Sequence, residues 1–401
     1  MLGDKNKIWL LTFLVLVAIR FYGITAFAFL EERFWSFTLY LIPLVFLFSA
    51  KKDFYGKSIM LILMAMIPNI ISAKIFNGQS YFDSLLGLIF IFHFVFYYLV
   101  LYLNPSVRQV ESVVLVVASI GFVFYFLQFL ILPNSILTTT SGWRLVNADV
   151  DLWRFGIIGE CILFLSFFLS LQKAIQTKKN KYKILCLLAV VFVFLHGYRT
   201  MIFALGCSTL YYLIAYYGIK KINKSIIYIG VAVCMMYLLF TTGLFDEQLS
   251  FMIDKTAQET ADENNRLICF LYYYNEYLQS PIEWLFGGGF PAGDSSYSDW
   301  MGQIKLLGSN IYGRNNWVDI GFLGLSFLGG LLITVIWIWM LIKTIIKAPK
   351  ECLYVKAFCL FILIGTFTLP IGFNDESIII QCIGFYIISK QNLKKIGGHK
   401  I

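Results

Sequence analysis

The chain has 401 residues, of which 59% are hydrophobic and only 14% are charged, and its formal net charge is +9. Soluble proteins carry about a quarter charged residues. Apolar runs of about 20 residues, long enough to cross the ~30 Å hydrocarbon core of a bilayer, recur throughout this sequence, which excludes a soluble catalytic domain. The lysines lie in short loops between these runs, where they set membrane topology, so the positive charge does not indicate a nucleic-acid partner.

The apolar runs predict an all-α polytopic membrane protein with about twelve spans, forming a single integral membrane domain over residues 1–401. Ala26-Phe27-Ala28 resembles a signal-peptidase site, but the run containing it is too long for a cleaved leader, so we interpret it as the first span. The predicted spans are Ile8–Leu30, Phe34–Ala50, Ser58–Ile75, Phe82–Leu103, Ser112–Leu132, Phe155–Leu171, Ile184–His196, Met201–Gly218, Ser225–Gly243, Val318–Ile342, Tyr354–Leu369 and Ser377–Ser389.

Every second loop is basic, as the positive-inside rule requires of cytoplasmic loops. Lys178 and Lys179 lie between the sixth and seventh spans, for example, and Lys220 and Lys221 lie between the eighth and ninth. This alternation predicts that both termini are cytoplasmic.

The large outer loop between the ninth and tenth spans covers residues 244–317. Its segment from Arg266 to Leu285 is aromatic and apolar with scattered polar residues, which favours a helix lying in the membrane interface over a further span. The three glycines Gly287 to Gly289, followed by Phe290-Pro291, predict a flexible turn.

The choice of basic residue differs between the two sides of the membrane. The predicted cytoplasmic loops carry lysine almost exclusively, whereas arginines recur on the outer side, where the positive-inside rule disfavours them. Arginine offers a planar fork that binds phosphate in a bidentate way, so an anionic ligand at the outer face explains the set better than topology does. The alternative for each arginine is an ion pair with a nearby acid. The candidates are Arg144, Arg154, Arg199, Arg266 and Arg314.

Acids on the same side are candidate general bases. They are Asp151, Glu160, about a turn and a half into the sixth span, and Asp319, at the start of the tenth. Each could instead pair with one of the arginines. His196 is a further candidate base, although a lone histidine more often packs in a core. Asp149-Val150-Asp151 has a form that binds metal in many nucleotide-sugar enzymes, but nucleotide sugars are absent outside the cytoplasm, so we expect neither a metal nor a cofactor.

Several motifs between about residues 140 and 330 resemble, in their order and topology, the Wzy-type polysaccharide polymerases and O-antigen ligases, membrane glycosyltransferases of the C type. Ligases commonly carry a His-Asn pair before the tenth span, and its absence here favours a polymerase. The motifs are Arg154-Phe155-Gly156 with Gly159-Glu160, Tyr198-Arg199-Thr200, Arg266 with the Pro281–Gly289 segment, and Arg314-Asn315-Asn316 leading into a glycine-rich span.

The resemblance implies that the protein polymerises undecaprenyl-pyrophosphate-linked oligosaccharide repeat units at the outer face of the bacterial cytoplasmic membrane. The arginines would stabilise the pyrophosphate leaving group without a metal, and one of the three acids would accept the proton of the attacking sugar hydroxyl. Tyr198, His196, Asn315 and Asn316 would complete the site. The implied partners are the lipid bilayer, a flippase and a chain-length regulator.

Two rival functions remain open at this point. A ligase would use the same fold and donor with a different acceptor. A lipid-linked oligosaccharide flippase would also have about twelve spans, but we expect such a transporter to place charges within the spans of both halves and to have short outer loops. The long outer loop and the arginines beyond residue 140 fit the enzyme better.

Overall fold

The protein is described by a computed structural model whose described residues are helical apart from turns and one two-stranded antiparallel ladder. The described ranges are 4–19, 21, 53–130, 144–147, 152–154, 159–196, 199–218, 265–292, 295–303, 317–367 and 369–398.

The first part of the chain contains a run of helices and then the ladder. These elements are α1 (Asp4–Ala18), α2 (Phe54–Asn77), α3 (Tyr81–Gly87), a 3-10 turn (Ile91–Val95), α4 (Phe96–Leu103), α5 (Val107–Leu130), β1 (Arg144–Asn147) and β2 (Leu152–Arg154).

The second part is again helical. Its elements are α6 (Glu160–Thr177), α7 (Asn180–His196), α8 (Arg199–Tyr217), α9 (Asn265–Tyr272), a π turn (Tyr273–Tyr277), α10 (Pro281–Phe286), α11 (Ser296–Gln303), a 3-10 turn (Trp317–Ile320), α12 (Gly321–Lys347), a 3-10 turn (Lys350–Cys352), α13 (Leu353–Gly365), a 3-10 turn (Pro370–Gly372) and α14 (Asp375–Gly398).

Among the described residues, four helices are long and apolar enough to cross a membrane, namely α2, α5, α8 and α12. A fifth span results if α3 and the segment Ile91–Leu103, which meet at a bend of 63°, are counted together. The predicted helical class is thus confirmed, as is the presence of helices able to span a membrane. The second and ninth predicted spans, Phe34–Ala50 and Ser225–Gly243, lie outside the described residues.

The sixth predicted span begins later than the sequence suggests. Glu160 is the first residue of α6, so its predicted position a turn and a half into the helix is wrong. Gly159 directly before it has a left-handed φ of +81°, so no helix continues through Gly159 into Glu160. Before the predicted span, Leu152–Arg154 forms strand β2, which pairs with β1.

The predicted interfacial helix from Arg266 to Leu285 is two shorter helices in the structure. After α9 and the π turn, the chain leaves the helical conformation at Leu278. A new helix, α10, begins at Pro281. Proline favours the first position of a helix because its missing N–H needs no partner there. The Ser280 side chain accepts from the Glu283 N–H while the Glu283 carboxylate accepts from the Ser280 N–H, which fixes this new start.

Helix α14 lies at the centre of the bundle. Every residue from Ser377 to Ser389 is buried, and the helix packs against α4, α5 and α6. A helix that is apolar on all sides must be enclosed by other elements or by lipid, and here the enclosing elements are protein. The twelfth predicted span is therefore a helix whose residues 377–389 are covered by other parts of the protein.

Polar clusters tie the helices together at the end of the bundle opposite Glu160. The Asp53 carboxylate caps α2 at the Gly56 N–H (2.8 Å) and accepts hydrogen bonds from the Tyr97 and Ser389 hydroxyls. Lys173 pairs with Glu111 at 2.6 Å. Because charged groups in an apolar bundle need partners, these contacts fix the relative register of the helices that contribute them.

The three glycines lie within the glycine segment, defined here as Phe286–Phe290, which inserts between α2 and a break in α12. At the break, Gly330 has φ +86° and ψ +155°. The backbone N–H groups of Gly288 and Gly289 donate to the carbonyl oxygens of Phe327 and Leu328, both at 3.0 Å. These two carbonyls are freed from the α12 ladder by the break, so the inserted segment restores the lost hydrogen bonds.

Side chains satisfy the carbonyl groups of the glycine segment. Asn69, Ser72 and Asn77 from α2 donate to the carbonyls of residues 286, 287 and 288 respectively, the last two at 2.6 Å. Tyr297 donates to residue 289 at 3.1 Å and Gln79 to residue 290 at 2.9 Å. The predicted flexible turn is therefore a strip of backbone that is buried from Gly287 to Phe290 and hydrogen-bonded at every carbonyl.

We predict that Gly287→Ala destabilises the protein by more than about 2 kcal/mol. A Cβ at this position would overlap the Leu328 carbonyl, and the φ of +81° is strained for alanine. Gly206→Ala is the matched control, because a Cβ there meets nothing within 4 Å. Thermal unfolding in detergent, followed by size exclusion, should show a lower midpoint for Gly287→Ala and an equal or higher one for Gly206→Ala. Equal midpoints for Gly287→Ala and the wild type would contradict this packing.

Candidate functional site

The starts of α6, α12 and α14 and the end of α13 meet at one end of the bundle. The Gly159 N–H donates to the Glu376 carboxylate, and the Phe322 N–H donates to the Thr366 carbonyl at 3.0 Å. These contacts place three acids at this end, namely Glu160 at the start of α6, Asp319 in the turn before α12, and Glu376 at the start of α14. In the predicted topology it is the outer end.

Aromatic rings connect the glycine segment to this end of the bundle. The ring of Phe290 contacts that of Trp317 edge-on, with centroids 5.2 Å apart, and Trp317 stacks on Phe373 at 6.0 Å. Phe373 lies three residues before Glu376. Helix α9, which carries Arg266, packs against the Trp317–Ile320 turn. The part of the large loop that the structure describes is therefore attached to the same end as the acids.

The hairpin β1–β2 brings two of the candidate arginines together. Arg144 and Arg154 are direct cross-strand partners in its register. Directly opposite residues share a face of the ladder, with Cβ atoms about 5 Å apart, and like charges in such a pair are destabilising unless something neutralises them. An anion bound between two guanidinium groups would do so. In the chain, the hairpin precedes Gly159 and Glu160, the first residue of α6.

Arg199 and His196 belong to the same end of the bundle. Helices α6 and α7 form an antiparallel pair joined by the short connection after Thr177, so the end of α7 returns to the level of Glu160. His196 is the last residue of α7, and Arg199 is the first residue of α8. The start of a helix favours anions through its free N–H groups and its dipole.

The structure describes the backbone positions of six further candidates. Arg144 and Arg154 lie in the hairpin, and the other four lie in or beside an element at this end, namely His196, Arg199, Arg266 and Asp319. Glu160 is half-buried, with its Oε2 atom inaccessible to solvent. The remaining candidates, Asp151, Tyr198, Arg314, Asn315 and Asn316, lie outside the described residues.

Glu376 is a member of this acidic group that sequence reasoning missed. Glu376 directly precedes the predicted twelfth span. An acid in front of an apolar run indicates only that a loop ends there. Its contact with Gly159 joins residues 217 positions apart, so no local pattern could indicate it. The available signal was only that the predicted topology puts Asp375 and Glu376 on the same side of the membrane as the arginines.

Comparison with protein-family models and with curated proteins finds no match for this chain. Function is therefore inferred from the chemistry of the residues gathered at this end. Carboxylates can accept a proton from an attacking hydroxyl, and arginines can stabilise negative charge that develops on a phosphate leaving group. Together these groups suit the transfer of a group away from a phosphate or pyrophosphate.

We predict that Glu376→Ala lowers thermal stability, because it leaves the Gly159 N–H without its acceptor at the junction between the hairpin and α6. A hydrogen bond to a charged group contributes about 1.5–3 kcal/mol. Glu376→Gln keeps an acceptor oxygen without the charge and should lie between alanine and the wild type. Glu276→Ala, at an exposed position of the π turn, is the control and should leave the unfolding midpoint unchanged. The same midpoint for all three variants would show that the contact contributes nothing.

Proposed function

We propose that the protein is a polysaccharide polymerase of about twelve spans with both termini in the cytoplasm, built as a C-type glycosyltransferase in the bacterial cytoplasmic membrane. Its substrates are undecaprenyl-pyrophosphate-linked oligosaccharides on the extracytoplasmic side. The observation that carries the proposal is the cross-strand pair Arg144 and Arg154, which leads into a helix end where acids collect.

The reaction transfers a glycosyl group. A hydroxyl of the acceptor's terminal sugar forms a bond to the anomeric carbon of the donor, and the bond from that carbon to the pyrophosphate oxygen breaks. The electron pair leaves with the lipid pyrophosphate, and the proton of the hydroxyl passes to a carboxylate. Atoms and charge therefore balance without an oxidant or a metal.

The arginines are assigned to the pyrophosphate. Arg144 and Arg154 act from the hairpin, Arg199 from the start of α8, and Arg266 and Arg314 from the large loop. Their positive charge stabilises the leaving group more strongly as its charge develops, which is the condition for lowering a barrier. Tyr198, His196, Asn315 and Asn316 line the same region in this proposal.

Glu160 is the preferred general base among the three candidates. It follows Arg154 closely in the chain and is half-buried at the start of α6, which suits a base that works beside a bound anion. Asp151 and Asp319 are the alternatives. The contacts of the glycine segment support the loop as a fixed wall that positions the sugars.

Deletion of the gene tests the proposal against its two rivals. Loss of a polymerase leaves surface polysaccharide of single repeat units. Loss of all surface units would instead indicate a flippase, and free long chains not joined to their acceptor would indicate a ligase. Electrophoresis of extracted polysaccharide distinguishes the three patterns.

We predict that Arg154→Lys and Arg199→Lys each shorten the polymer, because lysine keeps the charge but loses the bidentate geometry. The loss of one bidentate contact should lower the polymerisation rate on the order of tenfold to a hundredfold. Arg108→Lys is the matched control, since Arg108 is exposed near the start of α5 on the predicted cytoplasmic side. Full-length polymer in both outer variants, at equal protein levels, would rule out bidentate pyrophosphate recognition by these residues.

A further inference from the structure

A shallow groove opens between the end of α2 and the start of α11. Its volume is about 210 Å³, and it is lined by Phe76, Asn77, Ser296, Tyr297 and Trp300. Sites for drug-sized ligands measure roughly 300–1,000 Å³, so this groove suits a single ring better than a whole oligosaccharide. None of the five lining residues carries a charge, which sets it apart from the arginine-rich end of the bundle.

The groove has an exposed aromatic wall on a rigid support. Trp300 is 49% exposed and Phe76 is 39% exposed, although large aromatic side chains are normally buried. The Trp300 ring stacks on Tyr297, with centroids 6.1 Å apart and planes inclined by 24°. Tyr297 is almost completely buried. The exposed ring of Trp300 is therefore supported by a buried ring that is held in place.

Buried hydroxyl groups hold this support in place. The Tyr297 hydroxyl lies in hydrogen-bond contact with the Tyr277 hydroxyl and donates to the carbonyl of Gly289. Burial raises the pKa of both phenols well above the usual range, so both stay protonated and neutral. The aromatic wall is thereby tied to the glycine segment.

Polar groups stand beside the aromatic wall. Asn77 donates from its Nδ2 atom to the Gly288 carbonyl at 2.6 Å, and the Oδ1 atom of the same amide can act as an acceptor. The Ser296 hydroxyl is exposed on α11 and can both donate and accept. A neutral sugar ring presents an apolar face of C–H groups and an edge of hydroxyls, and these two features match an exposed indole flanked by an amide and a hydroxyl.

Anchoring in the membrane interface is the competing role for an exposed tryptophan. The neighbours of Trp300 argue against it, because Ser296 and Asp299 on the same helix are also exposed. By contrast, α3 exposes Tyr81, Phe82 and Leu85 together, which is the pattern of a surface facing lipid. Trp300 thus lies beside exposed polar side chains of its own helix.

We propose that this groove binds one neutral sugar ring of the lipid-linked saccharide, with the ring stacked on Trp300 and its hydroxyls bonded to Asn77 and Ser296. The identity of the saccharide rests on the proposed function. The groove supplies sugar recognition, and the arginines supply phosphate recognition.

The test uses the full chain in lipid nanodiscs and two separate probes. One is the oligosaccharide released by mild acid from the polyprenyl-linked fraction of the cells that carry the gene. The other is inorganic pyrophosphate. Binding is measured by calorimetry and by saturation-transfer NMR. Trp300→Ala should weaken oligosaccharide binding about tenfold, which corresponds to about 1.4 kcal/mol, and should leave pyrophosphate binding unchanged.

Three further variants make the result decisive. Trp300→Phe keeps a ring and should retain most of the affinity. Ser296→Trp fills the groove from an exposed position and should weaken binding even if Trp300→Ala fails to fold. Trp339→Ala removes a tryptophan that is 54% exposed on α12, far along the chain from the groove, and should bind like the wild type.

Unchanged oligosaccharide affinity in Ser296→Trp, or in a folded Trp300→Ala, would overturn the groove proposal, as would the absence of oligosaccharide binding to the wild type. These outcomes are distinct from failure of the proposed function. If gene deletion leaves polymer length unchanged while Trp300→Ala still weakens oligosaccharide binding, the polymerase proposal is wrong and the groove proposal is supported. If deletion yields single repeat units while the groove variants bind normally, only the groove proposal falls.

Discussion

The backbone of the glycine segment is hydrogen-bonded at every carbonyl from Phe286 to Phe290 by a side chain. Within the hydrocarbon depth of a membrane, backbone outside a helix is tolerated only where protein groups satisfy it. Leu328, which accepts from Gly289, is the eighth residue of α12, so the contact lies roughly 10 Å below the start of that helix. Each buried polar group left without a partner would cost about 1–3 kcal/mol. The amides of α2 thus make the break in α12 possible.

The other features of this end of the bundle follow from that insertion. Because the glycine segment is fixed, Phe290 is held against Trp317, and Trp317 against Phe373. This contact chain reaches the start of α14, where Glu376 holds the junction before α6. The glycine segment also fixes the groove, because the Tyr297 hydroxyl donates to the Gly289 carbonyl and the Tyr297 ring stacks on Trp300. A loop segment that would otherwise be free in water therefore has a defined position relative to both the acids and the aromatic groove.

Much of the helical framework could be predicted because it depends on local hydrophobicity. The third and fifth predicted spans fall within or nearly within α2 and α5. The glycine segment could not be predicted in the same way. Its partners Asn69, Ser72 and Gln79 are more than 200 residues away in the chain, and three consecutive glycines read locally as a flexible turn. Only the fold shows that the absence of side chains allows close approach of two backbones.

The candidate site shows the same division. The arginines stood out in the sequence because the predicted topology puts them on the side of the membrane where cations are less common. The pairing of Arg144 with Arg154 depends on the register of a short hairpin, and the role of Glu376 depends on a contact across the bundle. Glu160 was misplaced because hydropathy does not register the left-handed turn at Gly159.

Hydrogen–deuterium exchange of the intact protein in nanodiscs tests the central claim most directly. The amides of Gly288 and Gly289 are bonded to Phe327 and Leu328 within the bundle, so peptides that cover the glycine segment should exchange as slowly as peptides from the middle of α14. Exchange at the rate of an exposed, unstructured loop would contradict the insertion and with it the fixed wall on which the proposed site depends.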